Sequence, residues 1–259
     1  MNPTGPRGKL VLVPTPLDFG LRDAGPLPAL QEVLSLGVIR QAASLSHWVA
    51  ENAKTARAFL KRVDAVVPLA QPLQSLHIVE LPRSTKGASA TAPPDLGTLL
   101  APALLGHDIG LVSEAGLPAV ADPGAALVRA AHGLGIAVLP LAGASALLLA
   151  LAASGLNGQS FAFVGYLPIN EAARAARIRE LEALSRRAAQ AQLAIETPYR
   201  NPALLAALLA TLQPTTRLSV SCGLTLADGW NRSDKVAAWR DRPRPLPTDV
   251  PAVFALQAD

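Results

Sequence analysis

The sequence predicts an α/β protein of two domains, residues 1–155 and 156–259, and three features carry that prediction. Residues 109–154 run strand, loop, helix, strand, loop, helix, the alternation that builds a mostly parallel sheet. Half of the 259 residues are hydrophobic and only 16% are charged, so there is material for a sizeable core. The stretch Ser154-Gly155-Leu156-Asn157-Gly158-Gln159-Ser160 is the strongest break in the chain, and composition shifts beyond it.

Taken in order, Lys9–Val13 is a short β-type run that stops at Pro14-Thr15-Pro16, because proline cannot continue a central ladder. Pro28–Leu36 is a helix candidate closed by Gly37. His47–Glu51 is a second strand. Asn52 caps a helix to about Val63, with Ala53, Ala56, Phe59, Leu60 and Val63 on one face. Ser75–Leu81 suits a strand, Pro82–Pro94 a loop, and Asp95 the cap of a helix over 96–105. The run Ile109–Val112 opens into the loop 113–124. Pro123 fits an early helical position after Asp122, in a helix from about 124 that ends at Gly133. A second run, Ile136–Leu139, opens into Ala142-Gly143-Ala144-Ser145 and a helix over 144–154. Beyond the break, strands are expected at Phe161–Val164, Gln192–Glu196, Arg217–Cys222 and Pro251–Leu256, with helices over 171–191 and 202–212. The first of these helices has a polar face bearing Arg174, Arg177, Arg179, Arg186 and Arg187, and residues 228–249 are polar, basic and proline-rich. The second half is expected to form a mixed, partly antiparallel sheet.

Several classes are excluded. Cys222 is the single cysteine, so no internal disulfide framework exists, which suits a reducing cytoplasm. The histidines at 47, 77, 107 and 132 show no metal-ligand spacing, and no metal is expected. The early apolar run is too short for a signal sequence. The longest, 142–153, falls short of the roughly 20 residues that span a bilayer, so no membrane partner is expected. A net charge of +4 suits an anionic partner.

The chemistry resides in the two glycine-bearing loops. There is no GxxxxGK[ST] loop; Gly133-x-Gly135 precedes a strand rather than following one; and Leu147 stands where a nucleophile elbow after Gly143 needs its second glycine. Glycine, alanine and serine at two strand ends expose main-chain groups to a flat polar ligand. Neither loop contains Lys or Arg, which disfavours a polyphosphate and suits a cationic cofactor. Asp122 and Glu114 form a carboxylate pair for acid–base work, or Asp122 is a plain helix cap; both readings stand.

Five blocks, in order along the chain, carry a family resemblance. They are Leu12-Val13-Pro14-Thr15-Pro16, the run 112–124 (VSEAGLPAVADPG), the run 138–146 (VLPLAGASA), Gly165-Tyr166-Leu167-Pro168, and Glu196-Thr197-Pro198-Tyr199-Arg200. Together they resemble the tetrapyrrole methylase superfamily and, within it, the small-subunit ribosomal RNA 2′-O-ribose methyltransferase I family, as a divergent branch. The resemblance implies a tetrapyrrole-methylase-like fold of two α/β domains with S-adenosylmethionine in the cleft between them, in a cytoplasmic homodimer. It implies cofactor contacts at Pro14, Gly116, Leu117, Pro118, Val120, Gly143, Ala144, Ser145 and Ala146, and from the second domain at Tyr166, Glu196, Thr197, Cys222, Gly223, Val250, Pro251 and Ala252. The branch's substrate-facing blocks are altered here to Glu51-Asn52-Ala53-Lys54 and Cys222-Gly223-Leu224-Thr225-Leu226.

The implied reaction is methyl transfer, with ribosomal RNA as the expected acceptor. The alternatives are C-methylation of a porphyrin- or corrin-like ring, or cofactor binding without catalysis. A hydroxyl acceptor wants a general base, for which Glu51 is the first candidate, ahead of Asp18 and Glu196. Glu51 also reads as an acid stabilised at a helix N-terminus. Tyr166 orients the acceptor, stacks on adenine, or is a core aromatic. RNA would be gripped by Lys54, Arg57, Lys61 and Arg62 with Arg83 and Lys86, and by Arg232, Lys235, Arg240, Arg242 and Arg244; solvated helix faces would read the same way.

Overall fold

The structure is a computed structural model that describes residues 6–18, 27–82 and 96–259. Arg83, Lys86 and Asp95 lie outside the described residues. The chain divides into two compact units, Met1–Ala144 and Ser145–Asp259.

The first unit is built on a parallel five-stranded sheet of β1 (Lys9–Leu12), β2 (His47–Ala50), β3 (His77–Glu80), β4 (Ile109–Val112) and β5 (Ala137–Pro140). The spatial order is β3-β2-β4-β1-β5, so β1 separates β4 from β5. The two glycine-bearing loops therefore do not leave adjacent strands, and the loop after β1 lies between them. Among the described residues the unit also contains the helices α1 (Leu30–Val33), α2 (Leu36–Ala43), α3 (Ala53–Asp64), α4 (Gly97–Leu104) and α5 (Ala125–Gly133).

Alternate strand residues feed two cores. Val11, Val13, Trp48, Ala50 and Val112 pack with Ile39, Phe59 and Leu60. Leu10, Val49, Ile109 and Leu111 pack with Leu100, Leu127 and Ile136. A sheet covered on both faces reads as continuous apolar runs, which is why these strands were visible in the sequence. Gly110 pairs with Trp48, and a Cβ there would sit 2.5 Å from the indole. The glycine makes room for the buried Trp48 ring.

Asn52 does cap α3, its side chain accepting from Lys54 N at 2.9 Å and Thr55 N at 3.4 Å. Gly37 does not close a helix; it lies inside α2, and Ser35 caps that helix by accepting from Val38 N. Of the helix expected over 28–36 only Leu30–Val33 forms, ending at the extended Leu34, and α2, which the sequence reading does not include, follows over Leu36–Ala43. Asp122 is not the cap of α5, which begins at Ala125 after Gly124.

The second unit comprises α6 (Ala146–Ser154), β6 (Phe161–Tyr166), α7 (Glu171–Ala188), β7 (Ala191–Glu196), α8 (Asn201–Thr211), β8 (Arg217–Cys222), β9 (Trp230–Lys235), α9 (Val236–Asp241) and β10 (Ala252–Gln257). Its sheet has the order β6-β7-β10-β8-β9; β6 and β7 run parallel and the remaining pairs antiparallel. The change of unit falls at Ala144/Ser145, ahead of the break at residues 154–160. Leu147, Ala150 and Leu151 of α6 pack on Leu193, Val253 and Ala255 of this sheet, while Gly155 ends the helix in a left-handed turn with φ +67°. Strand β9 and helix α9 occupy the segment that reads as polar and proline-rich. Arg174 is not on a solvated face: it is buried, and its guanidinium donates to the Ile169 carbonyl at 3.2 Å.

Candidate functional site

In a parallel sheet every strand's C-terminal end points the same way, and α/β proteins bind ligands along that edge. In the first unit the edge carries the loops after β1, β4 and β5, and main-chain contacts tie them together. Thr15 N donates to Gly116 O at 2.9 Å, and Gly116 N returns a bond to Thr15 O at 3.1 Å. Gly143 lies against the Pro14 ring so closely that a Cβ would fall 2.2 Å from Pro14 Cβ. Gly116 has φ +80°, while Ala119 and Ala121 each hold φ +66°. For alanine that conformation costs roughly 1–2 kcal/mol, and such strain clusters at ligand sites. Leu117 and Pro118 lie within this strained turn, and Val120 is exposed on it.

Three acids converge beside these loops. Glu51 follows β2, and its Oε2 accepts from Glu114 N at 3.2 Å. Burial pushes the Glu51 carboxyl above its usual range and the Glu114 charge adds to this, against the Glu114 N–H. Asp122 is pushed up to about 6, first by burial and then by the Glu51 charge, with Glu114 adding to it. The Ser113 hydroxyl opposes that rise, although its oxygen is buried and has no partner in full hydrogen-bond geometry among the described residues. A cavity of about 400 Å³ in the same unit is lined by Thr15, Pro16, Asp18, Phe59, Lys61, Arg62, Ser113 and Glu114.

The other carboxylate candidates are committed elsewhere. Asp18 is buried and paired with Arg62 at 2.9 Å, and that guanidinium also donates to the Pro28 carbonyl at 3.1 Å. Glu196 pairs with Arg200 at 3.0 Å and accepts from Thr197 N at 2.8 Å.

In the second unit the antiparallel register collects its candidates in one row. Ala252 pairs with both Glu196 and Cys222, and Gly223 N donates to Pro251 O at 3.0 Å. Asn201 holds the Val250 carbonyl at 3.0 Å. Gly223 has φ +64°. The Cys222 thiol is buried, so only main chain is offered there. Tyr166 ends β6 beyond a bulge and is 59% exposed, which removes the core-aromatic reading. Ser145 and Ala146 begin α6, with the Ser145 side chain buried.

The basic sets are partly spent on structure. Arg232 stacks 4.0 Å above Trp239 and donates to the Arg242 and Ala238 carbonyls; Arg244 stacks 3.9 Å above Trp230. Arg240 binds the Leu209 and Leu212 carbonyls at 2.8 Å each. Lys54, Arg57 and Lys61 are exposed on α3. His47, His77 and His107 do meet, His47 lying 5.0 Å from each of the other two rings, at the opposite edge of the sheet. Stacked rings do not converge on a point, and no group among the described residues is arranged to hold a metal ion. No helix among them is long and apolar enough to cross a membrane.

Against solved structures, the chain superposes on the methyltransferase CobJ with a TM-score of 0.56 at 16% identity, covering 96% of this chain and 94% of that one. On uroporphyrin-III-C-methyltransferase from Thermus thermophilus the TM-score is 0.51 at 18% identity, covering 97% and 92%. The fold is that of the tetrapyrrole methylases. In sequence, this tetrapyrrole-methylase-like chain is 46% identical over 77 residues to ribosomal RNA small subunit methyltransferase I of Pseudomonas aeruginosa, covering 30% of this chain and 27% of the relative. The protein of the same name from Neisseria meningitidis serogroup B is 41% identical over 120 residues, 46% of this chain and 40% of the relative. The matched stretches thus span less than half of those relatives. No protein-family model matches the chain.

Proposed function

We propose that the chain is an S-adenosylmethionine-dependent methyltransferase acting on a ribose 2′-hydroxyl of small-subunit ribosomal RNA. The observation that carries this reading is the edge of the first sheet: three joined loops of main-chain groups, carboxylates beside them, and no Lys or Arg in residues 111–124 or 137–146. That donor set fits a cation and repels an anion. S-adenosylmethionine supplies a methyl group already activated on a sulfonium.

Pro14, Gly116, Leu117, Pro118, Val120, Gly143 and Ala144 would hold it in the first unit. In the second unit the contacts would come from Ser145, Ala146, Tyr166, Glu196, Thr197, Cys222, Gly223, Val250, Pro251 and Ala252. The residues of the strained turn keep it open while the paired loops fix its position, so binding energy goes to alignment rather than to ordering the site. Glu51 stays anchored on the Glu114 N–H and acts on its neighbours through its charge. Lys54, Arg57 and Lys61 face solvent, where they can meet phosphates. The names of the sequence relatives support an RNA acceptor; the structural neighbours support the tetrapyrrole alternative by fold alone. The same reading makes the protein a cytoplasmic homodimer, which light scattering checks.

Calorimetry with S-adenosylmethionine, followed by methyl transfer assayed on unmethylated small ribosomal subunits and on uroporphyrinogen, tests the reading. Binding with transfer to the subunits alone supports it. Transfer to uroporphyrinogen alone moves the chain to the tetrapyrrole alternative. Binding without transfer to either leaves the non-catalytic reading, and absence of binding removes all three.

A further inference from the structure

The cavity of about 400 Å³ has two walls. One comes from the loops after β1 and β4, through Thr15, Pro16, Ser113 and Glu114. The other is α3, through Thr55, Ala58, Phe59, Lys61 and Arg62. Its volume falls in the range of pockets that take a small molecule, roughly 300–1,000 Å³. Arg62 holds the two Asp18 oxygens at 2.9 and 3.1 Å and the Pro28 carbonyl at 3.1 Å, so it is a fixed part of the wall and its charge is met. That leaves Glu114 on the loop wall and Lys61 on the helix wall. The pair suits a ligand that turns hydroxyls to the acid and an anion to the cation.

Helix geometry sets what lies beside this cavity. Successive residues turn by about 100° around the axis. Thr55, Ala58 and Arg62 line the cavity at spacings of three and four, and Lys54, Arg57 and Lys61 each stand one position before one of them. These three cations form a stripe along the cavity's rim, and all are exposed. Lys54 and Lys61 have no ion pair among the described residues, and Arg57 reaches back to its own helix, at the Ala53 carbonyl 3.4 Å away. Asp64, the acid of α3, stands at its far end and accepts from Leu69 N at 3.0 Å. Glu80 of β3 is engaged by Ala53 N at 2.8 Å. Like charges three and four residues apart on a helix repel, and Lys54 in the first turn opposes the helix dipole. Interleaved acids would suit a merely solvated face; a row of external anions relieves this one.

We propose that the cavity receives one unpaired nucleotide of the RNA, splayed from its strand, while the phosphates beside it lie along Lys54, Arg57 and Lys61. This rests on the methyltransferase reading above and deepens it by giving the acceptor a pocket and its strand a track. The loop wall of the cavity belongs to the same sheet edge as the loops assigned to the cofactor, so a nucleotide held there lies beside the methyl donor. Glu114 excludes a phosphate from that wall and leaves it to ribose hydroxyls and base, while three cations in line at the rim match the repeating charge of a strand. An enzyme that modifies a nucleotide must take it out of the stack, and a pocket of this size beside a cationic stripe does so.

The test uses the full chain and two kinds of variant. In the first, Lys54, Arg57 and Lys61 all become Gln, which keeps helix propensity. A charge-matched control replaces the exposed Arg129, Arg179 and Arg187 by Gln. In the second, Ala58→Trp fills the cavity from an exposed helical position, with Ala58→Leu in its place where circular dichroism shows the Trp variant unfolded. Binding of unmethylated small ribosomal subunits is titrated against salt. Calorimetry gives affinity for S-adenosylmethionine, and single-turnover transfer at saturating subunits gives rate. The triple variant is expected to bind subunits about tenfold or more weakly at about 0.1 M salt, with a salt slope lower by about 2, since each single-strand phosphate contact contributes about 0.7. Ala58→Trp is expected to keep subunit affinity within about fivefold and cofactor affinity within about twofold, and to lose about 100-fold in saturated rate. A salt slope for the triple variant no lower than the control's overturns the track. Cavity-filling variants that transfer within about threefold of wild type overturn the pocket, as does a loss of cofactor affinity matching the loss of rate. Wild type that binds no cofactor refutes the methyltransferase reading itself. Wild type that binds cofactor but leaves the subunits unmodified refutes the RNA acceptor on which the pocket rests.

Discussion

Replacing Asp122 by Asn removes a carboxyl that folding makes harder to ionise. Its pKa is raised from 3.8 to about 6, by burial first and the Glu51 charge second. An acid shifted in that direction binds protons more tightly in the folded state. Its favourable contribution is whole below pH 3.8 and is lost as pH rises through about 6. A rise of that size corresponds to about 3 kcal/mol. Asp122 is only half-buried, and solvent screening reduces this to about 1–2 kcal/mol. Asparagine has nearly the same shape and no charge to bury. Asp122→Asn should therefore melt higher than wild type at pH 8, by about 2–8 °C in a unit of this size, and the difference should close towards pH 4. Calorimetric melts of both ligand-free proteins across that range, at fixed ionic strength, measure it. A difference that does not change with pH would show that the carboxyl does not titrate there. A variant less stable than wild type at pH 8 would show that the ionised form is a structural partner. Either result refutes the reasoning.

Three further outcomes are expected. Gly143→Ala places a Cβ 2.2 Å from Pro14 Cβ, so the loops after β1 and β5 must separate; we expect about 1–3 kcal/mol of destabilisation in a denaturant titration. Glu182 is buried in α7, where it accepts from Gln213 N at 2.8 Å and from the Thr216 hydroxyl; Glu182→Ala strands both donors and should cost about 2–3 kcal/mol by the same measurement, more than Glu182→Gln. Burial, then His107 and His77, hold the His47 pKa below 6.5, so its contribution is present above pH 6.5 and is lost as pH falls through its folded value. His47→Gln should flatten the fall in melting temperature on the acid side of pH 6.5, as followed by circular dichroism.

Features fixed by neighbours in the chain were legible in the sequence. Asn52 announces α3 because an Asx cap needs only the next few residues, and Arg217–Cys222 reads as a strand because both its faces are covered. Features made by pairing across the sheet were not. Glu51 meets Glu114 because β2 lies beside β4, and the stack of His47 with His77 and His107 depends on the same order; no spacing in the sequence encodes either. Asp122 is ambiguous in the sequence because Asp-Pro-Gly before a helix fits a cap as well as an active carboxylate, and only the start of α5 at Ala125 removes the cap reading. Strand β9 was missed because an edge strand with one solvated face, Trp230-Asn231-Arg232-Ser233-Asp234-Lys235, has the composition of a loop. Arg174 stands four and seven residues before Ile178 and Leu181, on the buried stripe of its helix, and only its charge makes it read as part of the polar face.

The order β3-β2-β4-β1-β5 has a consequence for synthesis. Leu10 finds its two partners at Ile109 and Val138, so the first strand made is among the last to be enclosed. At about 5–20 residues per second, roughly 100 residues of further translation keep it waiting for about 5–20 seconds. For that interval a bare Leu-Val-Leu ribbon hangs from the ribosome with neither edge occupied, and holdase capacity rather than final stability would set the yield of this polypeptide in a crowded cell.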